Sequence, residues 1–309
     1  MSQPLAFTLQ ISRNGVPVRS FTYDAAGNTL SDTLSGTATT YGYNDAHRMS
    51  SVTTAGALRG EYIYNARGQL VIRSVTNSTA NGVTVYFYDQ DGHVIAEFDG
   101  TTGDLKREYV WLGDMPVAII DPGTPADTYY MTTDHIGRPI ILTDASKSVV
   151  ADVIWSPFGG VINYSGSVDL DLRFPGQLFQ GESGLHYNWF RQYDPTTARY
   201  TQPDPLGLVD GPSRYAYVGN DPLQRIDFQG RAVTINMPRP GVTISSTRSE
   251  MTAPMCVGAA MVPFPEAITK NNCIRYCSDV ALPTGDYGMA FARCMNQCMA
   301  GQPFKDWLR

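Results

Sequence analysis

Tyr62-Ile63-Tyr64-Asn65-Ala66-Arg67-Gly68-Gln69 is one of four copies of a single pattern. The others are Phe21-Thr22-Tyr23-Asp24-Ala25-Ala26-Gly27-Asn28, Tyr41-Gly42-Tyr43-Asn44-Asp45-Ala46-His47 and Tyr86-Phe87-Tyr88-Asp89-Gln90-Asp91-Gly92-His93. Their second aromatics, Tyr23, Tyr43, Tyr64 and Tyr88, lie 20, 21 and 24 residues apart. Rings at i and i+2 share one face of a strand. Asp or Asn then opens a turn by bonding its own backbone, and Gly supplies the positive φ that the turn needs. Alternating residues 70–75 form the return strand. Each copy predicts a β-hairpin, and a lone hairpin buries too little to be stable. The units must therefore join one larger sheet.

Composition agrees. The 309 residues include 29 Gly and 18 Tyr, with few Lys, which favours strands and turns over long helices. No run of eighteen apolar residues occurs, so no membrane-spanning helix is expected. The first seven residues lack a basic region followed by an apolar core, so no signal peptide is visible. Charge divides the chain. Residues 1–230 carry 15 Lys/Arg against 24 Asp/Glu, and residues 231–309 carry 8 against 5. The acidic first part is a poor nucleic-acid binder. All five cysteines lie in the second part. Two such compositions argue for separately acquired segments.

Beyond the punctuation at residues 122–127 the motifs change. Tyr129 precedes the turn Asp134-His135-Ile136-Gly137, then come Leu142-Thr143-Asp144 and Trp155-Ser156-Pro157-Phe158-Gly159. The stretch 173–230 follows: Arg173-Phe174-Pro175-Gly176-Gln177, Glu182-Ser183-Gly184-Leu185-His186-Tyr187-Asn188, Phe190-Arg191-Gln192-Tyr193-Asp194-Pro195 and Asp204-Pro205-Leu206-Gly207-Leu208. Asp227-Phe228-Gln229-Gly230 closes it. Asp194 starts a turn before Ala198-Arg199-Tyr200. His47 and His93 fall in solvated turn positions, while His135 and His186 read as structural hydrogen-bonders. No Ser-His-Asp order or metal spacing links the histidines, so no cofactor or metal site is expected.

The hairpin pattern resembles the tyrosine-aspartate (YD) repeat of bacterial Rhs proteins, insecticidal toxin-complex C subunits and animal teneurins. Residues 129–230 resemble the Rhs-associated core, so the likeness covers roughly residues 20–230. It implies a mainly β fold, in which YD-repeat hairpins form part of a spiralling β-sheet shell, the core caps one end, and the cut C-terminal segment sits inside. Closing such a shell takes more repeats than occur here. A fragment of a longer shell, a truncated orphan product or a partner adding to another shell are the three expectations. Three segments follow: YD-repeat hairpins over 1–125, core with self-cleavage site over 126–230, and a variable tail over 231–309.

Hydrolysis by carboxylates needs two of them close together, one to activate water and one to protonate the leaving group. Asp204 and Asp227 each open an Asp-x-x-Gly turn, with nineteen residues, 208–226, between the turns. In the resembled family two Asp-Pro-x-Gly-Leu elements bound a self-cleaving aspartyl site. Arg191 matches the arginine of the family's Phe-Arg-x-Tyr-Asp element, where it can orient a carboxylate or bind an oxyanion. Cleavage is expected near Gly230-Arg231. Phe228 replaces the family's proline and Arg231 its last leucine, which alters the junction. The same aspartates would also serve if they only capped turns.

In the tail, Pro-interrupted residues 231–265 read as linker. Cys273, Cys277, Cys294 and Cys298 form two Cys-x-x-x-Cys pairs, each on one helix face. They predict a small α-helical hairpin at the C-terminus, stapled by Cys273–Cys298 and Cys277–Cys294 bridges, with zinc held by the same thiolates as the alternative. The spacing is similar to the twin Cys-x3-Cys hairpins of small disulfide-stapled proteins. Cys256 is left over. Bridges imply an oxidising destination, so the product is expected to be secreted or delivered to the cell envelope. No histidine follows His186, which excludes a histidine-dependent nuclease or deaminase there.

The leading expectation is the C-terminal part of an Rhs-type polymorphic toxin whose core is a single-turnover aspartyl autoprotease releasing a small effector. Its partners would be its own tail, a secretion-system carrier or larger Rhs shell, and an immunity protein, without nucleic acid. The alternative is a non-enzymatic β-scaffold or adhesion module, or a degenerate orphan without cleavage.

Overall fold

The computed structural model describes residues 8–231, apart from 79 and 210. They belong to one compact unit, Met1–Met237. Fifteen strands form one sheet whose order follows the chain, each pairing antiparallel with the next. The early ones are β1 (Thr8–Arg13), β2 (Val16–Tyr23), β3 (Thr29–Leu34), β4 (Thr37–Tyr43), β5 (Met49–Thr54), β6 (Ala57–Tyr64), β7 (Leu70–Val75) and β8 (Gly82–Tyr88). They continue as β9 (Val94–Asp99), β10 (Leu105–Leu112), β11 (Met115–Asp121), β12 (Asp127–Thr133), β13 (Pro139–Thr143), β14 (Val149–Trp155) and β15 (Val161–Gly166). β11 pairs with β12 across residues 125–126, so the sheet runs through this point unbroken.

Each repeat builds its hairpin as its residues dictate. The first aromatic (Phe21, Tyr41, Tyr62, Tyr86) is buried. A β-bulge falls at the second, between Thr22 and Tyr23, Gly42 and Tyr43, Ile63 and Tyr64, and Phe87 and Tyr88. The bulge turns the second ring back towards the preceding unit. Tyr43 Oη donates to the Thr29 carbonyl at 2.8 Å, Tyr64 Oη to Met49 at 2.7 Å and Tyr88 Oη to Leu70 at 2.6 Å. Each acceptor opens the previous return strand. Asn in place of Asp is harmless in the turn because the working atom is Oδ1. Asn65 Oδ1 accepts from the Arg67 and Gln69 amides at 3.0 Å, as Asp134 Oδ1 does from Ile136 and Arg138. His47 takes the glycine position with φ 58°.

The pattern outlasts the four copies visible in the sequence. Trp111 Nε1 donates to the Val94 carbonyl and Trp155 Nε1 to Pro139, each after a bulge at the indole residue. Indole N–H there replaces phenol O–H, which is why an aromatic-x-Tyr search stops at Tyr88.

A second, four-stranded antiparallel sheet comprises β16 (Leu178–Gln180), β17 (Leu185–Asn188), β18 (Arg191–Asp194) and β19 (Arg199–Tyr200). It packs on the large sheet. Leu178, Leu185, Tyr187 and Trp189 share one apolar cluster with Tyr41, Tyr62, Tyr86 and Ile119. Among the described residues the one helical turn is the 3-10 turn Val218–Asn220. The protein is thus mainly β, as a YD-repeat shell segment should be. The proposed cysteine hairpin, with Cys256, Cys273, Cys277, Cys294 and Cys298, lies outside the described residues.

Candidate functional site

Arg191 opens β18, and its buried neighbours fix where it points. Its Nη2 lies 3.0 Å from Asp204 Oδ2 and 3.3 Å from Asp227 Oδ2, so the two carboxylates meet at one nitrogen. Its Nε donates to the Gly230 carbonyl at 2.5 Å, and Nη1 to the Arg214 carbonyl at 3.2 Å. Arg191 and Asp227 are each 3% exposed and Asp204 5%. Buried charges of this kind persist only when paired and hydrogen-bonded.

Both aspartates also close their own turns. Asp204 Oδ1 accepts from the Leu206 amide at 2.7 Å, and Gly207 takes φ 83°. Asp227 Oδ1 accepts from the amides of Gln229 at 3.3 Å and Arg231 at 3.2 Å, and Gly230 takes φ 63°. Turn capping engages the Oδ1 atoms, and both Oδ2 atoms face Arg191. Capping a turn and pairing with Arg191 therefore coexist in each aspartate. The peptide bond between Gly230 and Arg231 has its carbonyl on Arg191 and its nitrogen on Asp227.

Tyr200 belongs to the same cluster, and sequence reasoning missed it. Its Oη donates to Asp227 Oδ2 at 2.8 Å, and its ring lies 3.6 Å beneath the Arg191 guanidinium. Burial first, and the charge of Asp227 second, push its phenol well above the usual range, so it keeps its proton. Asn188 Nδ2 donates to Tyr200 Oη at 2.8 Å and to the Asp227 carbonyl at 2.9 Å.

The altered junction has physical partners. Phe228 packs against the cluster of Ile136, Phe174, Tyr193, Tyr200, Tyr217, Val218 and Ile226. That packing holds the second turn where proline's fixed φ would otherwise do so. Arg231 lies 4.3 Å over the Phe190 ring, and Arg48 lies 3.9 Å over the same ring.

The histidines divide. His186 is buried and bonds Gln177 Oε1 at 2.9 Å; burial first, then Arg173, holds its imidazole well below the usual range and so neutral. His135 Nε2 meets the Leu223 carbonyl at 2.7 Å, and exposed His47 meets Asn28. His93 departs from expectation: it is not a solvated turn residue. It bridges Asp89 at 2.8 Å and Asp114 at 3.0 Å and stacks on Trp111. The reason is that Asp114, on the next hairpin turn, comes within reach only in the assembled sheet. Asp89, Asp91 and His93 bring three ligand-type atoms within 4.8 Å of one another. Asp89 Oδ1 is already committed to the amides of Asp91, Gly92 and His93. A cavity of about 300 Å³ touches His93, Trp111, Arg173 and Phe228 but none of Arg191, Asp204 and Asp227.

Comparison with known proteins places the fold in a family. The Teneurin YD-shell family profile matches residues 20–211. The double-stranded DNA deaminase toxin A of Burkholderia cenocepacia is 29% identical over 226 residues, covering 69% of this chain and 15% of the relative. A probable deoxyribonuclease, RhsB, of Dickeya dadantii is 33% identical over 199 residues, covering 62% of this chain and 14% of the relative. Toxin protein Tse5 of Pseudomonas aeruginosa is 35% identical over 106 residues, covering 34% and 8%. The chain thus spans a small part of each relative's length. The Photorhabdus luminescens Tc holotoxin pore aligns with TM-score 0.39 and 14% identity, over 74% of this chain and 16% of that one. With hairpins of the right composition, a recurrent bulge and stitch, and a profile match over most of the described residues, the chain belongs to the Teneurin YD-shell family, the family of Rhs-type YD-repeat proteins.

Proposed function

We propose that this chain is the C-terminal part of an Rhs-type polymorphic toxin, and that its core cuts the Gly230–Arg231 bond once to free residues 231–309 as an effector. The observation that carries the reading is the convergence on Arg191 of Asp204, Asp227 and the Gly230 carbonyl. An N–H held on a carbonyl withdraws charge from its carbon and stabilises the oxyanion that forms there. The chemistry is a hydrolysis. Asp204 takes a proton from a water whose oxygen bonds to the Gly230 carbonyl carbon. The C–N bond to Arg231 then breaks as Asp227, entering the reaction in its protonated form, gives that proton to the leaving nitrogen, whose N–H donates to Oδ1 at 3.2 Å before the reaction. The products are a Gly230 carboxylate and an Arg231 amine. The buried aromatics around the site keep bulk water away from the carboxylates.

Segments 1–125, 126–230 and 231–309 would then act as shell repeat, processing core and cargo. The relatives named as toxins support delivery of the product out of the producing cell. They also support assembly with a larger shell or carrier, and a released toxin would require an immunity protein to protect the producer. The relatives' deaminase and nuclease names are not extended to residues 231–309.

Gel and intact-mass analysis of purified protein tests the reading. Two pieces, 1–230 and 231–309, are expected from the wild type, and Asp204→Asn and Asp227→Asn should each stay whole. A wild type that remains one chain after long incubation overturns cleavage. It would favour a β-scaffold, for which the turn-capping bonds of both aspartates would be the sufficient reason for their presence.

A further inference from the structure

Residues 227–231 lie along the turn between β17 and β18, and three carbonyls on the way to the proposed cut have partners there. Asn188 Nδ2 donates to the Asp227 carbonyl at 2.9 Å, the Phe190 amide to the Gln229 carbonyl at 2.9 Å and Arg191 Nε to the Gly230 carbonyl at 2.5 Å. Trp189, between Asn188 and Phe190, takes φ 43°, which is rare for a bulky residue. These three bonds hold only main chain, so they fix where the segment lies without selecting its side chains.

Selection falls on the two residues that flank the bond. Before it, a Cβ on Gly230 would meet the Asn188 carbonyl oxygen at 2.3 Å, so only glycine fits. After it, the Arg231 guanidinium lies 4.3 Å over the Phe190 ring. An aromatic face attracts a cation held over it through the ring quadrupole. The other cation on this ring, Arg48, is held independently. Its Nη1 donates to the Phe190 carbonyl at 2.5 Å, and a Cβ on Gly68 would come within 2.8 Å of its Nη2. Arg48 is fixed by the sheet, whereas Arg231 is brought to the ring by the segment that is to be cut.

We propose that the turn 188–190 is the binding cleft of the cleavage reaction, and that Phe190 is its specificity-determining residue, selecting a cationic side chain directly after the cut. This rests on the self-cleavage reading above. The substrate class is then a chain with Gly before the bond and Arg or Lys after it. Because the substrate is attached, the contact acts by raising the fraction of time that the bond sits against Arg191. Phe190 takes no part in the bond changes themselves.

The test is a double-mutant cycle between positions 190 and 231 in the full chain, read as cleavage rate. Arg231→Met keeps the length and removes the charge, and it should slow cleavage by about fivefold. Arg231→Lys should cut faster than Arg231→Met. In a Phe190→Leu chain, which has lost the ring, Arg231→Met should make no further difference. In Phe190→Tyr, which keeps the ring, the dependence on position 231 should return. A ring that served only Arg48 or the core would give Phe190→Leu the same loss whatever stands at 231, and that result overturns the inference. If Phe190→Leu does not fold, the position-231 series decides alone. Arg231→Met cutting as fast as the wild type overturns the inference while leaving self-cleavage standing. An uncut wild type overturns both.

Discussion

Gly230 has no room for a side chain. A Cβ there would sit 2.3 Å from the Asn188 carbonyl oxygen, and its φ of 63° is left-handed. Gly176 abuts the other side of the same turn, with a Cβ position 2.2 Å from the Phe228 carbonyl. The two glycines let the 227–231 turn press against β17 and the 174–177 turn. Gly230→Ala should cost on the order of 1–3 kcal/mol of backbone strain, read as a lower urea midpoint. It should also stop cleavage, because relieving the clash moves the Gly230 carbonyl off Arg191. Unchanged cleavage in the Ala variant would mean that this carbonyl contact is dispensable. Asp204 and Asp227 stood out in the sequence because each opens an Asp-x-x-Gly turn, and Arg191 because it matches the arginine of the family's Phe-Arg-x-Tyr-Asp element. Tyr200 did not, because nothing in its neighbours marks which strand residue will face Asp227.

At the level of the hairpin, the second aromatic does two jobs. Its ring packs on the core, and its hydroxyl or indole N–H stitches the unit to the return strand before it. Tyr64→Phe separates these by keeping the ring and losing the bond to the Met49 carbonyl. Equilibrium unfolding should show a loss of about 1 kcal/mol. A neutral substitution would mean that the carbonyl finds water instead and that the stitch only sets register. The repeat was readable because its turn chemistry is local. Its continuation through Trp111 and Trp155 was hidden, because the conserved feature is a donor position after a bulge and not a residue type.

Across the whole described unit, charged and polar side chains tie distant segments together. Arg73 pairs with Glu182, and Arg19 pairs with both Asp32 and Asp194 at 2.5 and 2.8 Å. Burial makes such pairs costly to break. His186 adds a pH term. It is held neutral in the fold, with its imidazole well below the usual range, whereas in the unfolded chain it titrates near about 6.5. The unfolded state then binds the extra proton, so stability is fully present above that pH and falls as pH drops below it. Burial pushes Glu97 and Asp171 up, with Glu97 receiving the Tyr109 hydroxyl at 2.5 Å, so these acids lose stability in the opposite direction, as pH rises. The difference between wild type and His186→Gln isolates the histidine. Between pH 7.5 and 5.5 the wild type should lose stability more steeply, by up to about 1.4 kcal/mol per pH unit for one proton. Parallel curves would place a compensating charge beside His186. No described helix is long and apolar enough to cross a membrane.

What the order of residues determined by itself was local: the i, i+2 aromatics, the Asp or Asn turns and their glycines make hairpins wherever they stand. Those hydrogen bonds close within a few residues, so no other part of the chain is needed to read them. What only the tertiary structure decided was convergence. Arg191 on β18, two turns beyond it and Tyr200 on β19 meet because the small sheet is buried against the large one. That burial is a property of packing between segments more than a hundred residues apart, as Arg73 with Glu182 shows. The strand register of the assembled sheets, and not any spacing in the chain, brought both carboxylates to one guanidinium nitrogen.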